Sequence, residues 1–237
     1  MVIDNGCWVD KCIESDRNSL DVLCEKNEFV LFDNCVLSRS IGRRISGSDS
    51  VELERRWMHL LGEKLSSSFA IYLTRKIFGE YIAGIGSHAV CPQIKSGMRR
   101  VAEIVEEERR LVSPVDVEMY AVCSQNIKPL SIVCGLSEVD HQFLTMGIIL
   151  SDSDRTAIVT NDAGIIKAYS LIREQIPDLS VWSRLSNPEN KLQKVNDIAL
   201  YKMKKRKMEQ LVYSERESEK KRVLERAGFS YKSYQHA

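Results

Sequence analysis

The sequence predicts an α/β fold in three layers, with helices on both faces of a central, mostly parallel sheet. Two observations carry that prediction. Four short apolar runs, residues 29–32 (FVLF), 70–73 (AIYL), 157–160 (AIVT) and 179–182 (LSVW), are continuous rather than alternating, as befits strands covered on both faces. Between them the apolar residues recur at helical spacing, and strands alternating with helices imply parallel crossovers.

Taken in order, residues 1–28 precede the first strand, with a helix expected over 19–26. The polar, glycine-containing stretch 41–50 (IGRRISGSDS) reads as a loop. Residues 51–61 read as a helix with apolar side chains at 53, 57, 58, 60 and 61. Thr74, at the end of the second run, is placed to cap the helix after it. Residues 98–112 set Met98, Val101, Ala102, Val105 and Val112 largely on one helical face. Ser113 before Pro114 predicts a helix start, with the helix running to about Asn126 and Pro129 closing the connection. Residues 132–134 read as a further strand, and 140–150 and 163–172 as shorter helices. After residues 186–189 (SNPE), the segment 191–227 reads as one or two charged helices. The expected organisation is therefore a helical N-terminal extension (1–28), a central domain (29–185) and a basic, helical C-terminal tail (186–237).

Composition narrows the class. With 43% hydrophobic and 28% charged residues, the chain is globular rather than disordered or fibrous. No apolar run approaches the ~20 residues of a bilayer span. The N-terminal segment carries acids where a signal peptide carries basic residues, so a cytoplasmic protein with no membrane partner is expected. The seven cysteines lack a CxxC pair. Neither Cys7 with Cys12 nor His88 with Cys91 matches a zinc pattern, and small buried hydrophobes are expected instead. Net charge is +1 but uneven. The segment from Lys191 to Ala237 holds 13 Lys and Arg against 6 Asp and Glu, leaving 21 against 27 in the rest. A basic segment beside an acidic body attracts phosphate backbones, although a solvated helix face has the same composition.

The placement of acids relative to the strands is the most informative feature. Asp33 follows the run 29–32 directly, and Asp162 comes two residues after Thr160 at the end of 157–160. Open parallel sheets bind ligands outside the carboxyl ends of their strands. Glu80 lies in the second turn after Thr74, with Glu52 and Glu54 as competitors, and Asp140 near the start of SEVDHQFLTMGIIL with Glu138 just before it. Singly, each acid is explained as a cap or turn residue. Together, converging carboxylates raise one another's pKa, a penalty that a hard divalent cation removes.

These residues resemble the PIN-domain nucleases. The resemblance rests on FVLFDNCVL with Asp33, AIYLTRKIFGEY with Glu80, LSEVDHQFLTMGIIL with Asp140, and the turn AIVTNDAGI with Thr160, Asn161 and Asp162, and it covers residues 29–185. It implies that Asp33, Glu80, Asp140 and Asp162 are catalytic acids holding one or two Mg²⁺ or Mn²⁺ ions. Asn161 and Thr160 would support them, Thr160 orienting the Asp162 turn through its hydroxyl. It further implies a ribonuclease that acts on RNA, single-stranded rather than duplex, and allows an inhibitory protein partner or a homodimer. The 28 preceding residues, the long segment 84–135 and the tail depart from the family's minimal form.

A carboxylate-held ion lowers the pKa of a bound water and neutralises a scissile phosphodiester, so such chemistry requires no Ser, Cys or His nucleophile. The absence of GxSxG, Walker A and HExxH motifs agrees with that. Lys204, Lys205, Arg206 and Lys207 are the expected RNA-binding residues, with Tyr201, Tyr213, Tyr231 and Tyr234 available for stacking. Two rivals fit less well. A dehalogenase-type phosphatase needs a second Asp after Asp33, where Cys35 stands, and a receiver needs a lysine at a late strand, whereas Lys167 falls in a helix. The alternative from another class is a catalytically silent PIN-like module that binds RNA or a protein. His141 is expected to be partly buried or next to substrate rather than a general base.

Overall fold

The computed structural model describes residues 8–12, 19–38, 47–87, 90–114, 117–151, 154–175, 198–204 and 207–213. The chain runs β1 (Trp8–Cys12), α1 (Ser19–Lys26), β2 (Phe29–Phe32), α2 (Asn34–Leu37), α3 (Ser48–Ser67), β3 (Ile71–Thr74), α4 (Arg75–Gly86) and α5 (Pro92–Glu107). It continues with β4 (Leu111–Val112), α6 (Val117–Val133), α7 (Glu138–Leu150), β5 (Thr156–Val159), α8 (Ala163–Gln175), β6 (Ala199–Lys204) and β7 (Lys207–Tyr213).

The seven described strands join one sheet in the order β1-β7-β6-β5-β2-β3-β4. The five from β6 to β4 are mutually parallel, and β7 and β1 add antiparallel strands at one edge. From β2 the chain steps outward through β3 to β4, then returns to the other side of β2 for β5 and β6. The order therefore reverses between β2 and β5, and the crevice at a parallel sheet's switch point opens there. Val30, Leu31 and Phe32 of β2 and Ala157, Ile158 and Val159 of β5 are fully buried. Strands wrapped on both faces need no polar alternation, which is why these runs read as continuous.

The helices bury faces suited to their neighbours. α5 turns Ile94, Met98, Val101, Ala102 and Val105 inward. α7 is buried nearly all round, and a Cβ on Gly147 would meet Ile158 Cδ1 at 2.5 Å, so glycine sets how closely α7 lies on β5. The Trp57 indole N–H of α3 donates to the Val36 and Leu37 carbonyls (3.0 and 3.2 Å), satisfying backbone acceptors that the short α2 leaves open. No helix among the described residues is long and apolar enough to cross a membrane.

Several expectations need correction. Residues 132–134 do not form a strand, because α6 extends to Val133. Pro129 lies inside that helix rather than closing it, and α6 starts at Val117, not at Pro114. The helix expected over 98–112 ends at Glu107 and gives way to β4. The C-terminal tail is not helical over 199–204 and 207–213, nor is the N-terminal extension over 8–12, and these three segments complete the sheet. Lys and Glu in 199–213 favour a helix intrinsically, but β5 offers an open row of backbone groups. Pairing with it while burying Leu200, Tyr201, Met203, Met208 and Leu211 outweighs propensity. The strand expected at 179–182 lies outside the described residues.

Two helices end alike with different residues. At the end of α6, Gly135 has φ 72°, and the Leu136 N–H bonds back to the Ser131 carbonyl. At the end of α5, Arg109 takes the same left-handed conformation (φ 54°), with the Arg110 N–H on the Val105 carbonyl. A side chain is strained there by about 1–2 kcal/mol, and glycine recovers part of that against its own chain entropy. Arg109→Gly should therefore stabilise the protein by about 0.5–1 kcal/mol, read as a higher urea midpoint at an unchanged m-value.

Candidate functional site

The end of β2 is tied to the end of β5. The Asp33 N–H donates to the Val159 carbonyl (3.0 Å), and the Asp33 carbonyl accepts from Val36 and Leu37, which starts α2. Asp33 thus occupies an N-cap position, yet its side chain makes no cap bond. The residue is 4% exposed. Its Oδ2 accepts the Thr160 hydroxyl at 2.6 Å and the Cys35 thiol at 2.9 Å. Both partners are themselves held by the β5 turn, Thr160 Oγ1 accepting from the Asp162 N–H (3.0 Å) and Cys35 Sγ from the Asn161 N–H (3.3 Å). Two relays therefore converge on one carboxylate oxygen across the switch point.

Burial pushes the Asp33 carboxyl above its usual range, and the charge of Asp140 pushes the same way. The Cys35 thiol, the Thr160 hydroxyl and the Asn34 N–H act against them. Burial, and then the neighbouring Asp33 charge, raise the Cys35 thiol well above its ordinary value, so it is a hydrogen-bond donor rather than a nucleophile.

The other acids lie around this pair. Glu80, exposed on α4, accepts from Asn34 Nδ2 at 3.1 Å, and the Thr74 side chain caps α4 through the Ile77 N–H (3.3 Å). Asn34 is buried, and its Oδ1 has no hydrogen-bond partner. Asp140 is part of a capping box, its Oδ2 accepting the Ser137 hydroxyl (2.7 Å) and N–H (3.2 Å) while its own N–H bonds Ser137 Oγ. Asp162 Oδ1 accepts the Gly164 and Ile165 N–H groups (2.7 and 3.0 Å) at the start of α8. A Cβ on Gly164 would meet that oxygen at 2.9 Å and Leu136 Cδ2 at 3.0 Å. Asn161 Oδ1 accepts the Met203 N–H (2.9 Å), joining the turn to β6. Glu52 pairs with Arg55 and Arg56 on the exposed face of α3, and Glu54 is buried against Ser38, so neither joins this edge.

In donor chemistry the residues fit a hard divalent ion. The bonds to Glu80, Asp140 and Asp162 each fall on one oxygen, leaving Glu80 Oε1, Asp140 Oδ1 and Asp162 Oδ2 without a protein hydrogen bond among the described residues. None of the four acids pairs with a described lysine or arginine. In arrangement they fall short of a cage, since no group of three His, Cys, Asp or Glu side chains able to hold a metal occurs among the described residues. Mg²⁺ is commonly bound by one or two carboxylates with waters and substrate phosphates, so a pair centred on Asp33 remains chemically sufficient.

Sequence reasoning missed Asn34 and Cys35. Their signal was position alone, the two polar residues directly after the strand-ending acid. His141 is settled by its neighbours. Ser131 donates to the Ile127 carbonyl (3.1 Å), so it accepts His141 Nδ1–H (2.8 Å) and leaves Nε2 to accept the Ser124 hydroxyl (2.8 Å). The neutral ring pins α7 to α6 and faces away from general-base work. Lys204 and Lys207 pair where β6 meets β7, and Lys205 and Arg206 lie outside the described residues.

Two stability predictions follow. Asp162→Ala should cost about 1 kcal/mol by removing the α8 cap, while Asp162→Asn keeps most of it, as chemical denaturation of metal-free protein would show. Burial holds the His141 pKa below the ordinary imidazole value of about 6.5. The folded state thus binds fewer protons than the unfolded one, and the contribution is complete above pH ~6.5 and lost as pH falls through the lower folded value. Between pH 7 and 5 the urea midpoint of metal-free wild type should fall more steeply than that of His141→Gln.

No family model matches the chain, and no curated protein or solved structure does either.

Proposed function

We propose that the chain is a PIN-like, metal-dependent ribonuclease that hydrolyses RNA phosphodiesters at the switch-point edge. The observation that carries this reading is the Asp33 carboxylate, withheld from the helix cap it could make and buried at the crevice. A buried carboxylate with a like-charged neighbour and no cationic partner is an unfavourable arrangement, and such groups concentrate where chemistry is done. Asp33 and Asp140, with Glu80 and Asp162 beside them, would hold Mg²⁺ or Mn²⁺, which supplies an ionised water and neutralises phosphate charge. Thr160 and Cys35 fix the orientation of Asp33 so that its hydrogen-bonded oxygen is committed before substrate arrives.

The substrate class has two supports. The N-termini of α4, α7 and α8 all begin at the carboxyl-edge side of the sheet, where their N–H groups and dipoles favour phosphate. β6 runs parallel to β5, with Tyr201 opposite Val159, so Lys204 at its end lies on the same edge as Asp162. Lys204, Lys205, Arg206 and Lys207 would follow the RNA backbone there, giving salt-dependent affinity without sequence choice.

One observation favours a silent RNA-binding module instead: Asp140 and Asp162 are each accounted for by a helix start. Metal-dependent cleavage separates the two. Wild type should bind Mn²⁺ and cut single-stranded RNA. Asp33→Asn should lower cutting by more than about 100-fold and Thr160→Val by about 10–100-fold, the usual effect of losing an outer-shell partner, with the fold intact by circular dichroism. RNA binding by wild type without cleavage in any divalent metal would overturn the nuclease and leave the module.

A further inference from the structure

We propose that Arg110 forms a binding site for a carboxylate joined to an apolar body, a small organic acid, at the start of β4, two strands across the sheet from β2. Arg110 is pinned by its backbone, its N–H on the Val105 carbonyl and its carbonyl accepting the Leu73 N–H, both at 2.9 Å. The side chain is only 2% exposed, which is rare for arginine. Its guanidinium carbon lies 4.8 Å from the Phe69 ring centroid and 5.9 Å from that of Tyr72. Aromatic faces stabilise the cation but accept none of its in-plane hydrogen bonds.

The two buried donors without a partner are Nε and Nη2. They lie along the same edge of the planar guanidinium, away from Cδ, and together form its side-on fork. That fork matches the two oxygens of one carboxylate in a single plane. No described acidic side chain pairs with it. An apolar side chain of similar length would fill the place without the penalty of an unpaired buried charge, so the fork, not the volume, distinguishes this residue.

Access and selectivity come from the surroundings. Phe69, in the short connection between α3 and β3, covers the guanidinium yet is 78% exposed. Turning that ring opens the fork, and the ring then offers an apolar face to the ligand's body. Glu106, Glu107 and Glu108, exposed just before Arg110 in the chain, disfavour a polyanion such as a nucleic-acid backbone and leave room for a single negative charge. In the sheet register Arg110 is level with Tyr72 and Leu31, two strands across from β2, and none of the four acids pairs with it, so the site stands or falls independently of the nuclease reading.

Thermal melting of the full chain in acetate, phenylacetate or phosphate, each against chloride at equal ionic strength, tests the site. The midpoint of wild type should rise with both carboxylates, and phenylacetate should act at lower concentration than acetate. Arg110→Met and Arg110→Lys, which lack the fork, should lose the response, and Asp33→Asn should keep it. Should either Arg110 variant fail to fold, the Nε–H resonance of Arg110 in wild type should shift on adding phenylacetate. No carboxylate-specific rise, an equal rise in Arg110→Met, a larger response to phosphate, or an unmoved Nε–H resonance would each overturn the assignment.

Discussion

The constraint on which the candidate site depends is the tie between two parallel strands at the point where their order reverses. β2 and β5 are adjacent in the sheet but separated by more than a hundred residues, and the hydrogen-bonded Asp33 and Thr160 are 127 positions apart. Backbone pairing brings the strands together but leaves their ends free to diverge, since each opens into its own helix. The Thr160–Asp33 bond and the Cys35 thiol close that gap inside a buried setting, where hydrogen bonds to an ionised group are stronger than in water. Everything at the edge, from the start of α2 to the turn before α8, is positioned relative to that junction.

The edge also shows how a fold gathers negative charge without collapsing. Three of the four acids are placed beside backbone N–H groups, Asp162 on those of Gly164 and Ile165, Asp140 in its capping box and Asp33 beside Asn34, while Glu80 accepts from the Asn34 side chain. Helix starts supply fractional positive charge where the sheet supplies none. This arrangement keeps Asp140 and Asp162 comfortable in the absence of any ion. Asp33 is different, because burial outweighs the donors it receives and its pKa is raised. The difference between the acids is therefore one of solvent access rather than of partner count, and it singles out one carboxylate of four.

Much of the fold was legible because burial on both faces leaves an unambiguous trace. The run FVLF matches β2 residue for residue, and the runs at 70–73 and 157–160 differ from β3 and β5 by one position. Thr74 as a cap was readable from a hydroxyl at a strand-to-helix boundary. The strands β6 and β7 were not, because they meet in the basic run KMKKRK and the decisive partner, the open side of β5, is more than forty residues away in sequence. Helix propensity is local, whereas sheet pairing is not, so a charged edge strand is where propensity misleads. Within the site, the acids at strand ends were visible. Which of them cap helices was not, since an Asp two residues past a strand has the same sequence whether its carboxylate turns to the backbone or to the crevice.

Asp33 and Arg110, two of the buried charged side chains among the described residues, depart from the usual expectation that charge is either exposed or paired with an opposite charge. Asp33 follows β2 and Arg110 precedes β4, each tied by backbone bonds to the adjacent strand, Asp33 to Val159 and Arg110 to Leu73, so neither can move to water without breaking a strand terminus. Their surroundings differ in kind. Asp33 is met by hydroxyl, thiol and amide donors, which leave it ionisable and oriented; Arg110 is met by aromatic rings, which hold the cation but leave its fork unanswered. A polar cradle suits a group that must hold a fixed direction toward a cation or water. An aromatic one suits a group that must stay dry until a matching anion arrives. The two charges are held two strands apart in the sheet, so neither pairs with the other.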